Sequence, residues 1–246
     1  MSLHIVSTHD VEGLMNTLAA EGIPSGSVEI YRARNVVAKL PGDGINIKAY
    51  KVPGLAKGLI YGLFRKPKAL RAYDNAFELL RLGIRTPEPL GVLVERKAGR
   101  LCRSFFVSRQ LEGWSELRGV EKRSDFGILV KALAEFILDM HHKGVYMKDM
   151  TPGNILFRLA GGSFEFALVD INRMCFGVTD MHVLRSRLGL VFDSEDAGAF
   201  FARTYAALAG IDANAAEDAA RRAFRNRWKT IRRKQRLKSL LGIKPH

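Results

Sequence analysis

The stretch His141-His142-Lys143-Gly144-Val145-Tyr146-Met147-Lys148-Asp149-Met150-Thr151-Pro152-Gly153-Asn154-Ile155-Leu156 decides how the rest of the chain is read. Before it, Phe126, Leu129, Leu133, Phe136, Ile137 and Met140 recur at helical spacing, so residues 125–142 read as a long helix. A loop follows it. A carboxylate, Asp149, and an amide, Asn154, stand at the two ends of that loop. Further on, Ala167-Leu168-Val169-Asp170 is an apolar strand ending in an acid. Taken singly, Asp149 reads as a turn residue and Asp170 as the cap of a strand. Their order, spacing and helix, loop and strand contexts carry the argument jointly.

The loop resembles the protein-kinase catalytic loop H-R-D-x-x-x-x-N, with Met147 and Lys148 in place of His and Arg. In that pattern Asp149 accepts the proton of an attacking hydroxyl, and Asn154 holds magnesium. Asp170 matches the D-F-G aspartate, a second magnesium ligand, although Ile171-Asn172 replaces Phe-Gly. Ile45-Asn46-Ile47-Lys48 resembles the V-A-I-K strand, which makes Lys48 a contact to the phosphates of ATP. A kinase lysine is held by an acid on the following helix, and residues 68–82 offer Asp74 and Glu78 one turn apart. Asp74 is preferred, with Glu78 left open. The pattern departs at the phosphate-covering loop: Tyr31-Arg32-Ala33-Arg34-Asn35 stands where G-x-G-x-x-G is usual. Arg32 or Arg34 is a substitute phosphate contact or a solvated turn residue.

Outward from the loop, residues 28–31, 36–40 and 45–50 alternate as three short strands, with Pro41-Gly42-Asp43-Gly44 as a turn. The helix over 68–82 shows Leu70, Tyr73, Phe77 and Leu80 at helical spacing and stops at Gly83. Residues 89–94 and 102–107 flank a turn at 96–99 and read as a hairpin that completes a five-stranded antiparallel sheet. Helix predominates from there on. The expected class is α+β, a bilobal protein-kinase-like fold with a sheet-rich N-lobe and a reduced helical C-lobe. The divisions fall at 1–107, 108–220 and 221–246.

At 246 residues and 47% hydrophobic, the chain can bury a sizeable core. Its charge is lopsided. The net charge is +14, and the segment from Arg221 to His246 carries eleven Lys/Arg and no acid, which leaves about +3 elsewhere. Phe224, Trp228, Ile231, Leu237, Leu240 and Leu241 are interspersed there, the pattern of a basic amphipathic helix suited to an anionic membrane surface. Solvated charge on a helix docked through Trp228 and Phe224 is the plainer reading. Nucleic acid also fits the charge, but aromatic stacking platforms are sparse within the basic run, so it ranks lower. The apolar stretch 52–64, with Leu55, Leu59, Ile60, Leu63 and Phe64, reads as a core helix ahead of a membrane-dipping one. Two cysteines without a paired spacing, no basic leader and no long apolar run place the expectation in the cytoplasm.

Several stretches resemble the lipopolysaccharide kinases of the Kdo/heptose kinase family. They are Lys48-Ala49-Tyr50-Lys51-Val52-Pro53, Tyr61-Gly62-Leu63-Phe64-Arg65-Lys66, Gly83-Ile84-Arg85-Thr86-Pro87-Glu88-Pro89-Leu90, the loop 148–156, and Val169-Asp170-Ile171-Asn172-Arg173-Met174. The resemblance implies transfer of the ATP γ-phosphate to a hydroxyl of an inner-core sugar, Kdo or heptose, by a peripheral enzyme at the cytoplasmic face of the inner membrane. It implies Asp149 as base, Lys48 as phosphate ligand, and Asn154 and Asp170 as magnesium ligands. No A-P-E segment follows Asp170, which favours a glycolipid acceptor over a peptide. The alternatives are a weakly catalytic nucleotide-binding module and a kinase acting on protein or RNA.

Overall fold

The computed structural model describes residues 2–32, 35–52 and 66–240, which form two compact units. The first comprises the chain to Gly113 together with Asp170–Arg173, and the second comprises Trp114–Val169 and the chain from Met174.

The first unit is built on a six-stranded antiparallel sheet. Strands β1 (Ser2–Ser7), β2 (Val28–Arg32), β3 (Val36–Leu40), β4 (Ile45–Ala49), β5 (Pro89–Lys97) and β6 (Arg100–Arg109) lie in the order β1-β5-β6-β4-β3-β2. The hairpin between β5 and β6 closes through Ala98 and Gly99, both at positive φ (49° and 75°), the geometry of a two-residue turn whose twist suits the strands. The sheet expected from sequence has five strands; β1 adds a sixth at the edge, paired with β5 from Ser2 opposite Arg96 to Ser7 opposite Gly91.

Helix α1 (Glu12–Ala20) covers one face, where Val11, Met15 and Leu18 meet Ile45, Ile47, Leu93, Phe105 and Val107. Arg103 fastens that helix to the sheet. It donates to the Leu18 and Ala19 carbonyls at 3.2 and 2.5 Å and pairs with Glu95 opposite it in the hairpin. A cation thus meets the negative end of the helix dipole. Helix α2 (Lys68–Arg81) buries Ala69, Ala72, Ala76 and Leu79. The larger Phe77 and Leu80, expected on the packed face, are 49% and 39% exposed. Alanines let the helix axis approach its neighbours closely, so the small side chains face inward. The apolar stretch 52–64 lies outside the described residues from Pro53 onward, as do Ala33 and Arg34.

In the second unit, α3 (Phe126–His142) forms the buried spine through Leu129, Val130, Leu133, Ala134, Ile137 and Met140. β7 (Ser115–Glu116), β9 (Ile155–Ala160) and β10 (Ser163–Leu168) make a three-stranded sheet, and β8 (Tyr146–Met147) pairs with β11 (Met174–Cys175). After the short α4 (Met181–Arg185) come α5 (Glu195–Leu208) and α6 (Ala213–Leu240). The described part of the basic tail expected at 221–246 continues a 28-residue helix that starts at Ala213. Gly189, Gly198 and Ala220 pack backbone to backbone. A Cβ on Gly189 would lie 2.3 Å from the Ala220 carbonyl oxygen, and one on Gly198 would lie 2.9 Å from the Gly189 carbonyl oxygen.

His141 is buried in this unit, its Nδ1 2.9 Å from the Tyr205 hydroxyl. Burial first, then the charges of Arg185 and His142, lowers its pKa to about 4, so the ring is neutral near pH 7.

Candidate active site

The catalytic-type residues fall in two groups, one in each unit. In the first, Ile45 and Ile47 point from β4 into the core beneath α1. Strand alternation sends Lys48 to the other face. Its ammonium lies 2.5 Å from Asp170 Oδ1 and 5.4 Å from the centre of the Tyr50 ring. Asp170 has φ of 54°, a left-handed conformation that costs a non-glycine residue and persists only where surrounding contacts hold it. Those contacts are present. The buried Asn172 donates to Asp170 Oδ1 at 2.8 Å, and Asn75 of α2 donates to the Ile171 carbonyl at 2.7 Å. Tyr50 is 6% exposed. Burial raises its pKa well above the usual phenol value, with the Asp170 charge adding to the effect and Arg71 opposing it.

The partner of Lys48 differs from the expected Asp74. Asp74 pairs with Lys66, and Glu78 with Arg81 at 2.6 Å, so the acid against Lys48 is Asp170. What α2 contributes to the group is an amide, Asn75, one residue beyond Asp74.

In the second unit, the turn after α3 runs through Gly144 at φ 68°, with Val145 N–H bonded to the Met140 carbonyl. Such a left-handed glycine closes a helix end. Met147, Met150, Pro152 and Ile155 are buried and pin the loop from below, while Lys148 is exposed and Asp149 and Asn154 are half-buried. The Asn154 side-chain amide donates to the Asp149 carbonyl at 2.8 Å, and its backbone N–H donates to the Thr151 carbonyl at 2.9 Å. With its NH₂ so used, Asn154 presents a carbonyl oxygen. Leu117 N–H bonds to the Pro152 carbonyl at 3.0 Å, which brings Arg118 against Gly153; a Cβ at Gly153 would lie 2.4 Å from the guanidinium. Neither the Asn75 contact nor the Arg118 contact follows from sequence, because both depend on chain crossings that have no local pattern.

The donor chemistry suits a hard cation. Among the described residues no three His, Cys, Asp or Glu side chains cluster as metal ligands. Magnesium asks for less: one or two oxygen donors, the remainder being water and phosphate oxygens. Asp170 in the first unit carries a carboxylate and Asn154 in the second an amide carbonyl, each taken by itself an oxygen donor of that class.

A family model described as the lipopolysaccharide kinase (Kdo/WaaP) family matches residues 51–177, just over half of the chain. The match takes in Asp149, Asn154 and Asp170 and begins just after Lys48. No curated protein matches the chain. Among solved structures, WaaP in complex with acyl carrier protein is similar at a TM-score of 0.61 and 19% identity, over 90% of this chain and 99% of that one. The Rio2 kinase complex with ADP/Mg2+ and phosphoaspartate from Chaetomium thermophilum reaches 0.49 at 15% identity, over 90% of this chain and 76% of that one. A glucosamine kinase with glucosamine, ADP and inorganic phosphate reaches 0.46 at 13% identity, over 98% and 71% respectively. The fold is α+β and protein-kinase-like, and at 19% identity the similarity to WaaP is a likeness of architecture.

Proposed function

The chain belongs to the lipopolysaccharide kinase (Kdo/WaaP) family, and from that premise we propose that it transfers the γ-phosphoryl group of ATP to a sugar hydroxyl of the lipopolysaccharide inner core, on Kdo or heptose. The observation that carries this reading is the contact of Lys48 with an Asp170 held in a left-handed conformation. A cation and a carboxylate locked at one place supply the two charges that a metal-bound polyphosphate needs: one for phosphate oxygens, one for the metal.

Lys48 binds the nucleotide phosphates, while Asn172 and Asn75 keep the 170–172 segment in place. Asp170 and Asn154 would hold magnesium, which when bound spreads the charge of the β- and γ-phosphates. Asp149 orients the acceptor hydroxyl and takes its proton as the new oxygen–phosphorus bond forms and ADP departs. Among the described residues no helix is long and apolar enough to cross a membrane. The proposed enzyme reaches its lipid-linked acceptor from the cytoplasmic surface of the inner membrane.

The test is transfer of label from γ-labelled ATP with magnesium to lipopolysaccharide, phospholipid, protein and RNA, for the native chain and for Asp149→Ala. Label in lipopolysaccharide alone, abolished by the substitution, is the expected result. Full turnover in Asp149→Ala would overturn the assignment of the base. ATP binding without transfer to any acceptor would make the chain a nucleotide-binding module instead.

A further inference from the structure

Helix α6 changes character along its length. Its first turns are fixed to the second unit by the Gly189–Ala220 crossing and by ion pairs: Arg221 with Asp196 (2.7 Å) and Glu217 (3.0 Å), and Arg225 with Glu195 (2.6 Å). The Arg225 hydrogen bond holds the Glu195 carboxyl below its usual range. The acids end there. Arg222, Lys229, Arg232, Arg233 and Arg236 are all exposed, and among the described residues none has an acidic partner.

At 3.6 residues per turn these five cations project within a sector of about 100°, along roughly 21 Å of helix. Ala220, buried, and Phe224 and Ile231, half-buried, point the other way, toward the unit. Trp228 and Leu237 flank the stripe about 40° beyond its two edges, and they are 42% and 51% exposed. A helix that needed its cations only to complement its own dipole would carry them in the last turn; here the stripe spans about four turns.

We propose that this face of α6 docks the protein on an anionic lipid bilayer, with the helix lying flat, its cations against the headgroup phosphates, and Trp228 and Leu237 entering the interfacial layer. The choice of a bilayer rests on the proposed lipid-linked acceptor, and the geometry agrees with it. A stripe about 21 Å long on one side of the helix, with an apolar residue on each flank, fits an extended anionic sheet with an apolar layer beneath its headgroups. Each cation within a Debye length of the surface raises partitioning about fivefold, so five together raise it on the order of a thousandfold.

The experiment is flotation of the full chain with vesicles of phosphatidylcholine containing one-third phosphatidylglycerol, against phosphatidylcholine alone, for the native protein and the triple variant Arg232→Gln/Arg233→Gln/Arg236→Gln. Native protein should float with the anionic vesicles only, and the triple variant should bind them about a hundredfold more weakly. Phosphorylation of detergent-dispersed lipopolysaccharide should be equal for both proteins; no transfer by either, alongside charge-dependent flotation, would fail the kinase reading and leave the docking face standing. Equal flotation of native and variant, or equal binding to neutral vesicles, would overturn the proposal. So would native protein that ignores vesicles and is retained through the same three arginines by an immobilised acidic protein or RNA.

Discussion

Lys48 and Asp170 have side chains only 16% and 33% exposed and lie 2.5 Å apart, whereas Arg232, Arg233 and Arg236 are exposed and make no ion pair among the described residues. The first arrangement withdraws charge from water and compensates it inside the protein, with Asn172 bonded to the same carboxylate oxygen. The second leaves charge to water. Removing one member of a withdrawn pair strands the other, a loss that mutual attraction no longer offsets. Removing a solvated cation strands nothing. The difference separates residues that work by position from residues that work by number, and substitutions can test it at every scale.

The largest effect belongs to the withdrawn pair. Lys48→Met and Asp170→Asn should each lower kcat by a factor of about a thousand or more, since each deletes charge placed for a transition state rather than for a fold. Thermal unfolding and nucleotide-free circular dichroism should show a folded protein in both cases. The triple arginine variant of α6, assayed on detergent-dispersed acceptor, should keep native kcat. A Lys48→Met enzyme with near-native turnover would erase the distinction.

A charge that the protein keeps from forming makes the next test. His141 is buried and its folded pKa lies near 4, below the ordinary value of 6.5. Between those values the unfolded chain binds a proton that the folded chain refuses, so stability is full above pH 6.5 and falls as pH drops toward 4. The loss amounts to about 3 kcal/mol at 1.36 kcal/mol per unit. Denaturant midpoints measured from pH 7 to pH 4 should show it, and His141→Gln should flatten the slope. An unchanged slope would mean that other groups govern the acid limb.

Packing provides a smaller effect at the point where α6 is attached. Gly189→Ala puts a methyl 2.3 Å from the Ala220 carbonyl oxygen, and neither backbone can yield without moving the helix. Overpacking of this kind costs about 1–3 kcal/mol, read as a lower denaturant midpoint. Gly127→Ala, where an added Cβ meets nothing within 4 Å, is the matched control and should be neutral.

What can be read from sequence follows the same division. The catalytic loop and β4 are legible because their residues lie in local patterns: an apolar helix, a turn, a strand ending in an acid. The partner of Lys48 is not, since Asp170 is 122 residues away and α2 offers two plausible acids, Asp74 and Glu78, on one face. Asn75 and Asn172 give no sign of their supporting role because an amide carries no charge signature. The inward face of α2 is disguised because alanines, which give the weakest apolar signal, are what close packing selects. β1 and α1 are short elements near the start of the chain, and β1 is a largely exposed edge strand that shows little alternation, so neither stands out in the sequence pattern. At residue 221 the composition changes but the helix does not, so a shift in charge imitates a shift in structure.

The smallest expected effect is the most discriminating for α6. Lys229, Arg232, Arg233 and Arg236 form like-charge neighbours three and four residues apart, each such pair costing a helix a few tenths of a kcal/mol. Replacing Arg232, Arg233 and Arg236 by Gln removes that repulsion and no attraction, so the unfolding midpoint should stay level or rise slightly, within about 0.5 kcal/mol. Raising the salt concentration should stabilise the native protein a little and the triple variant less, because screening relieves a repulsion that only the native helix carries. A clear loss of stability in the variant would show that these arginines have acids to lose. The basic face would then belong with Lys48 and Asp170 as internal structure, and its cations would no longer be free to meet a bilayer.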